Sequence, residues 1–467
     1  MSSTHYQDSV DYLLSLGNEV SAMKLGLENI RRLLHALGDP QKNYLKIQVA
    51  GTNGKGSVCA FLDAICRSAD IRTGVYTSPH LVSMKERIRI AGVEISEDDF
   101  ARFAAQVRAT CEKLVTSGDL KTVPTYFEQV TAIGLVAFAE AGVELAILET
   151  GLGGRLDATT AADAEIAVIT RLDLDHQEYL GETIEEIAAE KAAIIRPHSK
   201  VIIGEQSSRA MAVVDSVCAV AGVIPVRTGS ISDKIPERQP TEHPAAQTTE
   251  PFPVLLPAFR TSRSRYENVS LGLAGAHQIE NAEVAILVAE ILSDEFEITP
   301  ESITDGLRDA RHAGRLEWTE YKGMRVLLDG AHNESGAKAL AAYLTAEYID
   351  AKIVLLYGTM KGKAYGSILK ILLPLAGDVV LTQPENTRAV PAAEIAGSEA
   401  LCESKDRTRV RQDVGEAIAL AVRLAEQQGV RSHSFVLVTG SLYLVGDIKR
   451  VINKTNGNLQ EFDGTLL

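Results

Sequence analysis

Short apolar runs of strand length recur through the chain, and each gives way to a polar or glycine-rich cluster. Ile47–Ala50, Thr73–Tyr76, Leu145–Leu148, Ile166–Thr170 and Val201–Gly204 read as strands. Their apolar residues are continuous rather than alternating, which suits a parallel sheet buried on both faces. Helical spacing fills the intervals. Leu27, Ile30, Leu33, Leu34 and Leu37 recur on one face, and Gly38-Asp39-Pro40 ends that run. Val58–Ala69 and Phe127–Ala141 predict helices. Ser96-Glu97-Asp98-Asp99 opens another, to about Val115, with acids in its first turn. Thr183-Ile184-Glu185-Glu186 has capping-box spacing and opens a helix through Ile195. Strand alternating with helix predicts an open α/β sheet whose ligands bind at the carboxyl ends of its strands.

A second series starts near residue 313. Arg325–Leu328, Ile353–Tyr357, Val379–Leu381 and Phe435–Val438 read as strands, and Ser335–Leu344 and Glu416–Glu426 as helices. The pattern predicts an N-terminal mononucleotide-binding domain with a mostly parallel sheet over 1–312. A smaller, Rossmann-like α/β domain follows over 313–467. Residues 229–265 interrupt the first domain: they hold six of the 15 prolines among many polar residues, and predict a surface insertion or flexible loop.

Composition narrows the classes. The 467 residues are 45% apolar and 23% charged, as in soluble globular domains, and suffice for two or three cores. A net charge of −15 argues against a nucleic-acid footprint. No window is apolar enough to span a membrane, and Met1–Val20 lacks the basic start and apolar core of a signal peptide. Five widely spaced cysteines give neither a zinc pattern nor a disulfide framework. The expectation is a cytoplasmic protein.

The stretch with the most evident chemistry is Gly51-Thr52-Asn53-Gly54-Lys55-Gly56-Ser57. It follows a strand and opens a helix, the arrangement that turns backbone N–H groups and a positive helix end toward a phosphate. Lys55 would neutralise outer phosphates and Ser57 would face a magnesium ion. The match to the general phosphate loop is imperfect, because Val49 stands where its first glycine belongs and Gly56 separates lysine from serine. Other candidates follow later strands. Glu149 is placed as a magnesium ligand and Ser78 as a second oxygen donor. His176 lies in a loop with Asp173 and Asp175. Lys191, fifteen residues on, sits in an apolar helical stretch. A desolvated amine there could add carbon dioxide and become an oxygen ligand. Taken singly, each has a simpler reading: a solvated acid, a Ser-Pro turn, a loop histidine, a helix lysine.

Together they resemble the folylpolyglutamate synthase/dihydrofolate synthase family of the Mur ligase superfamily. The resemblance runs over nearly the whole chain. It rests on Leu25-Gly26-Leu27, Gly51 to Ser57, Thr77-Ser78-Pro79-His80, Glu149 to Thr159, Leu174-Asp175-His176, Glu190-Lys191-Ala192, His277 to Asn281, Gly314-Arg315-Leu316-Glu317, Asp329-Gly330-Ala331-His332-Asn333 and Thr439-Gly440-Ser441. It implies amide ligation in which ATP phosphorylates a pterin-linked carboxylate and the amine of L-glutamate displaces phosphate. Gly54, Lys55, Gly56 and Ser57 would hold the ATP phosphates. Ser78 and Glu149, with Ser57, would hold one magnesium ion, and His176 and carbamylated Lys191 a second; potassium is a further candidate cation. Asn281 and Arg315 would contact ATP. Asp329 and His332 would serve the nucleotide and glutamate on domain closure, with Ser441 beside them. Leu27, Thr125, Tyr126, Phe127, Glu128, Leu156, Asp157 and Ala158 mark the pteroate site. The Arg-Leu-Asp-Ala wording at 155–158 resembles members that also accept dihydropteroate, so the expectation is a bifunctional, monomeric enzyme acting on small molecules. The alternatives are a monofunctional folylpolyglutamate synthase and a Mur-type ligase for another carboxylate. Only 50 residues precede Gly51, few for the UDP-sugar domain of a peptidoglycan ligase. Thr160 departs from the usual asparagine, His312-Ala313 from a proline before Gly-Arg, and Met360-Lys361-Gly362-Lys363 from a Lys-Asp-Lys-Asp pattern. The stretch 229–265 is also not typical of the family.

Overall fold

Continuous apolar runs form the central strands of a parallel sheet, as their pattern requires. A computed structural model of the chain describes residues 2–17, 26–229, 254–428 and 434–457. The first sheet contains β1 (Leu45–Ala50), β2 (Thr73–Tyr76), β3 (Ile88–Ile90), β4 (Val93–Glu94), β5 (Leu145–Glu149), β6 (Ile166–Ile169), β7 (Lys200–Ile203) and β8 (Val226–Arg227). Their order is β4-β3-β2-β5-β1-β6-β7-β8. All pairings are parallel except β2–β3 and β3–β4, which fold an antiparallel flap on one edge. Every residue of β5 and β6 is buried, so both faces of the sheet centre are covered. β1 lies between β5 and β6. The chain leaves β1 toward β2 on one side and later crosses to β6 on the other. The carboxyl end of β1 is thus where connections diverge, the usual place of a crevice in such sheets.

The chain separates into two compact units. Among the described residues, the first comprises 2–17, 26–229, 255–271 and 279–311, and the second 254, 272–278, 312–428 and 434–457. Within the first, helix Pro300–Asp309 lies directly on helix Lys55–Ser68. A Cβ at Gly306 would fall 2.3 Å from the Ile65 Cα, so only glycine permits that approach. The stretch expected to be irregular over 229–265 needs correction. β9 (Val254–Arg260) pairs with β10 (Arg265–Leu271) in a two-stranded sheet; residues 230–253 lie outside the described residues. Tyr266 on β10 anchors it by donating its hydroxyl to Glu290 at 2.8 Å. The helix expected to reach Ile195 ends at Ala192. Pro197 follows closely and disfavours helical backbone at Arg196.

The second unit carries β11 (Glu317–Tyr321), β12 (Met324–Leu328), β13 (Lys352–Tyr357), β14 (Ala376–Leu381), β15 (Thr408–Val410) and β16 (Ser434–Thr439), ordered β11-β12-β16-β13-β14-β15. Only β11–β12 is antiparallel. Lys322 and Gly323 turn that hairpin with φ of 51° and 78°, the left-handed pair a tight hairpin wants. Among the described residues no helix is long and apolar enough to cross a membrane.

Candidate active site

Because β1, β2, β5 and β6 run parallel, the loops that follow them emerge on one edge of the sheet. Those loops and strand ends carry Lys55, Ser78, Glu149 and His176. After β1 the chain turns through Gly54, at φ 89°, into helix Lys55–Ser68. Its N-cap residue, Gly54, has no side chain with which to cap it, and the first turn of such a helix turns backbone N–H groups toward an anion. Lys55 and Gly56 open that turn and Ser57 is buried within it. The Lys55 Nζ folds back on the Thr52 carbonyl at 3.4 Å. Asn281, far along the chain, is seated over Gly54: an added Cβ would meet its Oδ1 at 2.3 Å. Gly54→Ala is therefore expected to distort the loop through both strain and collision. Nucleotide affinity should drop roughly tenfold or more in a titration, with the fold retained by circular dichroism.

After β2, the Ser78 backbone N–H donates to Glu149 Oε2 at 3.2 Å, which joins two of the candidate oxygen ligands. The Ser78 hydroxyl is buried and has no hydrogen-bond partner among the described residues. A buried orphan hydroxyl beside a carboxylate fits a hard cation, which takes oxygen ligands. Among the described residues no three His, Cys, Asp or Glu side chains cluster as a metal site. That is compatible with magnesium, which keeps waters and phosphate oxygens and needs few protein ligands.

Glu86, unnoticed in the sequence reading, shapes this loop. Its Oε2 accepts from Leu81 N–H at 2.7 Å, and its Oε1 from Val82 at 2.8 Å and Ser83 at 2.7 Å. Ser83 and Glu86 form a capping box, and that spacing was legible. Glu86→Ala is expected to lower stability by about 2 kcal/mol, read as a denaturant-midpoint shift at constant slope.

His176 has left-handed backbone, with φ 51°, at the start of helix Gln177–Leu180. Its N–H donates to Asp175 Oδ1 at 2.8 Å, and its Nε2 lies 3.8 Å from Asp175 Oδ2. Lys191 is buried on helix Ile184–Ala192 and donates from Nζ to the Gly51 carbonyl at 2.9 Å. The lysine thus reaches the glycine loop itself. The loop after β5 steadies its helix: Arg155 N–H donates to the Glu190 carbonyl at 3.0 Å and Arg155 Nε to Glu190 Oε1 at 2.8 Å. A Cβ at Gly154 would lie 2.7 Å from the Lys191 carbonyl oxygen.

The expected pteroate residues divide. Leu27, Tyr126, Phe127 and Ala158 share one apolar cluster. Leu156 is exposed. Asp157 is occupied by its own loop: Oδ2 accepts from Gly151 at 2.8 Å and Leu152 at 3.0 Å, and Oδ1 from Thr159 N–H at 3.0 Å. Burial raises its pKa while these bonds oppose the shift. Thr125 and Glu128 form the capping box of helix Tyr126–Glu140. Burial also raises the Glu128 pKa, with Thr125 donating from N–H at 2.8 Å and from the hydroxyl at 2.9 Å. Both carboxylate oxygens of Asp157 are taken by its own loop, whereas Glu128 uses Oε2 for its helix cap and its Oε1 is buried without a hydrogen-bond partner among the described residues.

In the second unit, Asp329 follows β12. Its Oδ2 accepts from Leu316 N–H and its Oδ1 from Ala331 N–H, both at 3.0 Å. Burial raises its pKa and the Arg315 charge opposes that rise. The His332 Nδ1 lies 2.8 Å from the Gly330 carbonyl, which makes Nδ1 the protonated nitrogen. Ser441 caps helix Leu442–Thr455, accepting from Tyr443 N–H at 3.1 Å. His277, not singled out as a site residue, is half-buried; desolvation, helped by the Arg315 charge, lowers its pKa to about 4 and keeps it neutral.

A glycine-loop helix start at the central strand, with oxygen donors from neighbouring strand ends, is the arrangement a nucleotide-dependent group-transfer enzyme uses. The family described as Mur ligase middle domain matches residues 49–289, and that described as dihydrofolate synthetase, C-terminal domain, matches 314–451. A Bacillus subtilis dihydrofolate synthase/folylpolyglutamate synthase is 33% identical over 96% of this chain and 99% of its own. The solved Mycobacterium tuberculosis folylpolyglutamate synthase complexed with ADP is 29% identical, with a TM-score of 0.86 over 97% of this chain and 99% of that one. The Escherichia coli FolC structure in complex with DHPP and ADP is 29% identical, with a TM-score of 0.78 over 96% and 98%. This is an ATP-dependent acid–amino-acid ligase of the Mur type. The chain belongs to the dihydrofolate synthase/folylpolyglutamate synthase family.

Proposed function

We propose that the enzyme joins L-glutamate to two acceptors, a reduced folate and dihydropteroate, through an acyl phosphate. The names of the Bacillus relative and of the C-terminal family support the pairing, as does a structural neighbour solved with DHPP and ADP. A carboxylate is a poor electrophile at neutral pH. Transfer of the ATP γ-phosphoryl group to its oxygen gives a mixed anhydride. Attack by the glutamate amine on that carbonyl forms the amide bond and releases phosphate. Lys55 and the N–H groups of the first helix turn hold the phosphates and offset their charge. Asn281, Arg315 and Asp329 contact the nucleotide, and His332 and Ser441 serve glutamate. Leu27, Tyr126 and Phe127 supply the apolar wall for the pteroate rings.

The observation that carries the metal assignment is the buried Ser78 hydroxyl, which has no hydrogen-bond partner among the described residues and is joined to Glu149 through its own backbone. Ser57, Ser78 and Glu149 would hold one magnesium ion and His176 and carbamylated Lys191 a second, with potassium as a further cation. Bound there, the cations would neutralise charge as two anions approach. We also propose that the protein is a cytoplasmic monomer acting on small molecules, not on nucleic acid or membrane.

The test supplies ATP, magnesium and L-glutamate with dihydropteroate or a reduced folate in turn, reading phosphate release and product mass. Turnover is expected with both. Turnover with the folate alone removes the dihydropteroate half; turnover with neither overturns the proposal.

A further inference from the structure

Gln206 lies on the loop after β7, outside every motif that marked the site. Its carboxamide makes two bonds to the loop after β6: Nε2 donates to the Thr170 carbonyl at 2.9 Å, and Oε1 accepts from Leu172 N–H at 2.9 Å. Donor and acceptor act on residues two apart, as a neighbouring strand would, so one side chain extends the sheet's pairing beyond the end of β6. The clamped segment in turn holds the glycine loop. The Arg171 carbonyl accepts from Thr52 N–H at 2.9 Å and Asn53 N–H at 3.2 Å. The Thr170 hydroxyl donates to the Asn53 carbonyl at 2.8 Å. The Thr52 hydroxyl donates to the Asp173 carbonyl at 2.9 Å and accepts from Asp173 N–H at 3.0 Å. Glycine is required at Gly51 because a Cβ there would fall 1.9 Å from Thr170 Oγ1.

From this chain of contacts we infer that Gln206 is a positioning residue for ATP. It fixes the segment 170–173 against which the phosphate-binding glycine loop is laid, and it orients the same loop that continues to His176. The inference rests on the ligase reading for its kinetic consequence, while the clamp itself is a property of the fold. The chemistry selects an amide. A glutamate keeps the acceptor for Leu172 but sets a carboxylate against the Thr170 carbonyl; a methionine keeps the length and leaves both backbone groups unpaired.

The experiment compares the intact enzyme with Gln206→Glu and Gln206→Met. Steady-state kinetics are read for ATP and for the pterin acceptor, and amide hydrogen exchange over 49–58 and 168–176. Both variants are expected to lose roughly tenfold or more in kcat/KM for ATP, with acceptor KM unchanged within about twofold. Exchange should speed up in both segments and nowhere else. A general loss of folding would instead move both KM values and exchange throughout, and would overturn the positioning role. Unchanged exchange in the two segments would overturn it as well. Faster exchange there, in a protein whose wild type turns over no pterin, would leave the clamp standing and remove the ligase reading alone.

Discussion

Replacing Lys191 with alanine is expected to remove most of the ligase activity, by roughly two to three orders of magnitude in kcat. Two features of its setting support this. The side chain is buried, and its Nζ lies 2.9 Å from the carbonyl of Gly51, the residue that opens the phosphate loop. Under the carbamate proposal its neutral amine would add carbon dioxide, forming an N–C bond and releasing one proton. The carbamate nitrogen keeps one hydrogen, so the bond to the Gly51 carbonyl survives while two new oxygens extend beyond it. The expected signature is partial recovery of Lys191→Ala by a short carboxylic acid, which restores the oxygens without the stem. Loss without recovery would leave Lys191 as a clamp on Gly51 only. Full activity in the variant would rule out both roles.

Glu149→Gln is the second large effect. Glutamine retains an oxygen able to accept from Ser78 N–H, so the 3.2 Å link between the two loops is kept while the negative charge is lost. The loop should keep its shape, and thermal stability should change little. What changes is affinity for a hard cation, for which a neutral amide oxygen is the weaker partner. The magnesium concentration for half-maximal rate should rise, and kcat/KM for ATP at fixed magnesium should fall roughly a hundredfold. A hundredfold loss that excess magnesium does not relieve would assign Glu149 to substrate rather than metal. Wild-type kinetics would remove it from the site.

Much of the fold was legible because burial leaves plain marks. Leu145–Leu148 and Ile166–Ile169 are apolar at every position because both faces of the sheet are covered, and both were read as strands. The capping boxes at Thr183 and, unread, at Ser83 and Thr125 follow from local hydrogen bonding over three residues. Edge elements were not legible. β4 and β8 are exposed two-residue strands that exist only through a neighbour. The pair β9–β10 lay partly hidden in a proline-rich stretch whose composition outweighed its short strand pattern.

The site divides the same way. Sequence alone determined that a glycine-rich turn, a strand-end acid, a loop histidine and a helix lysine follow buried strands. Parallel strands in an α/β sheet then put their loops on one edge. Only the tertiary structure decided which atoms meet across long separations. Asn281 sits over Gly54, Lys191 reaches the Gly51 carbonyl, and the Ser78 hydroxyl is left buried beside Glu149 without a partner among the described residues. It also gave Asp157, Glu128 and Ser441 bonding partners within their own loops and helix caps. A motif states residue types in order. Whether a carboxylate serves a ligand or its own backbone depends on which N–H groups packing brings within about 3 Å, and spacing along the chain does not carry that information.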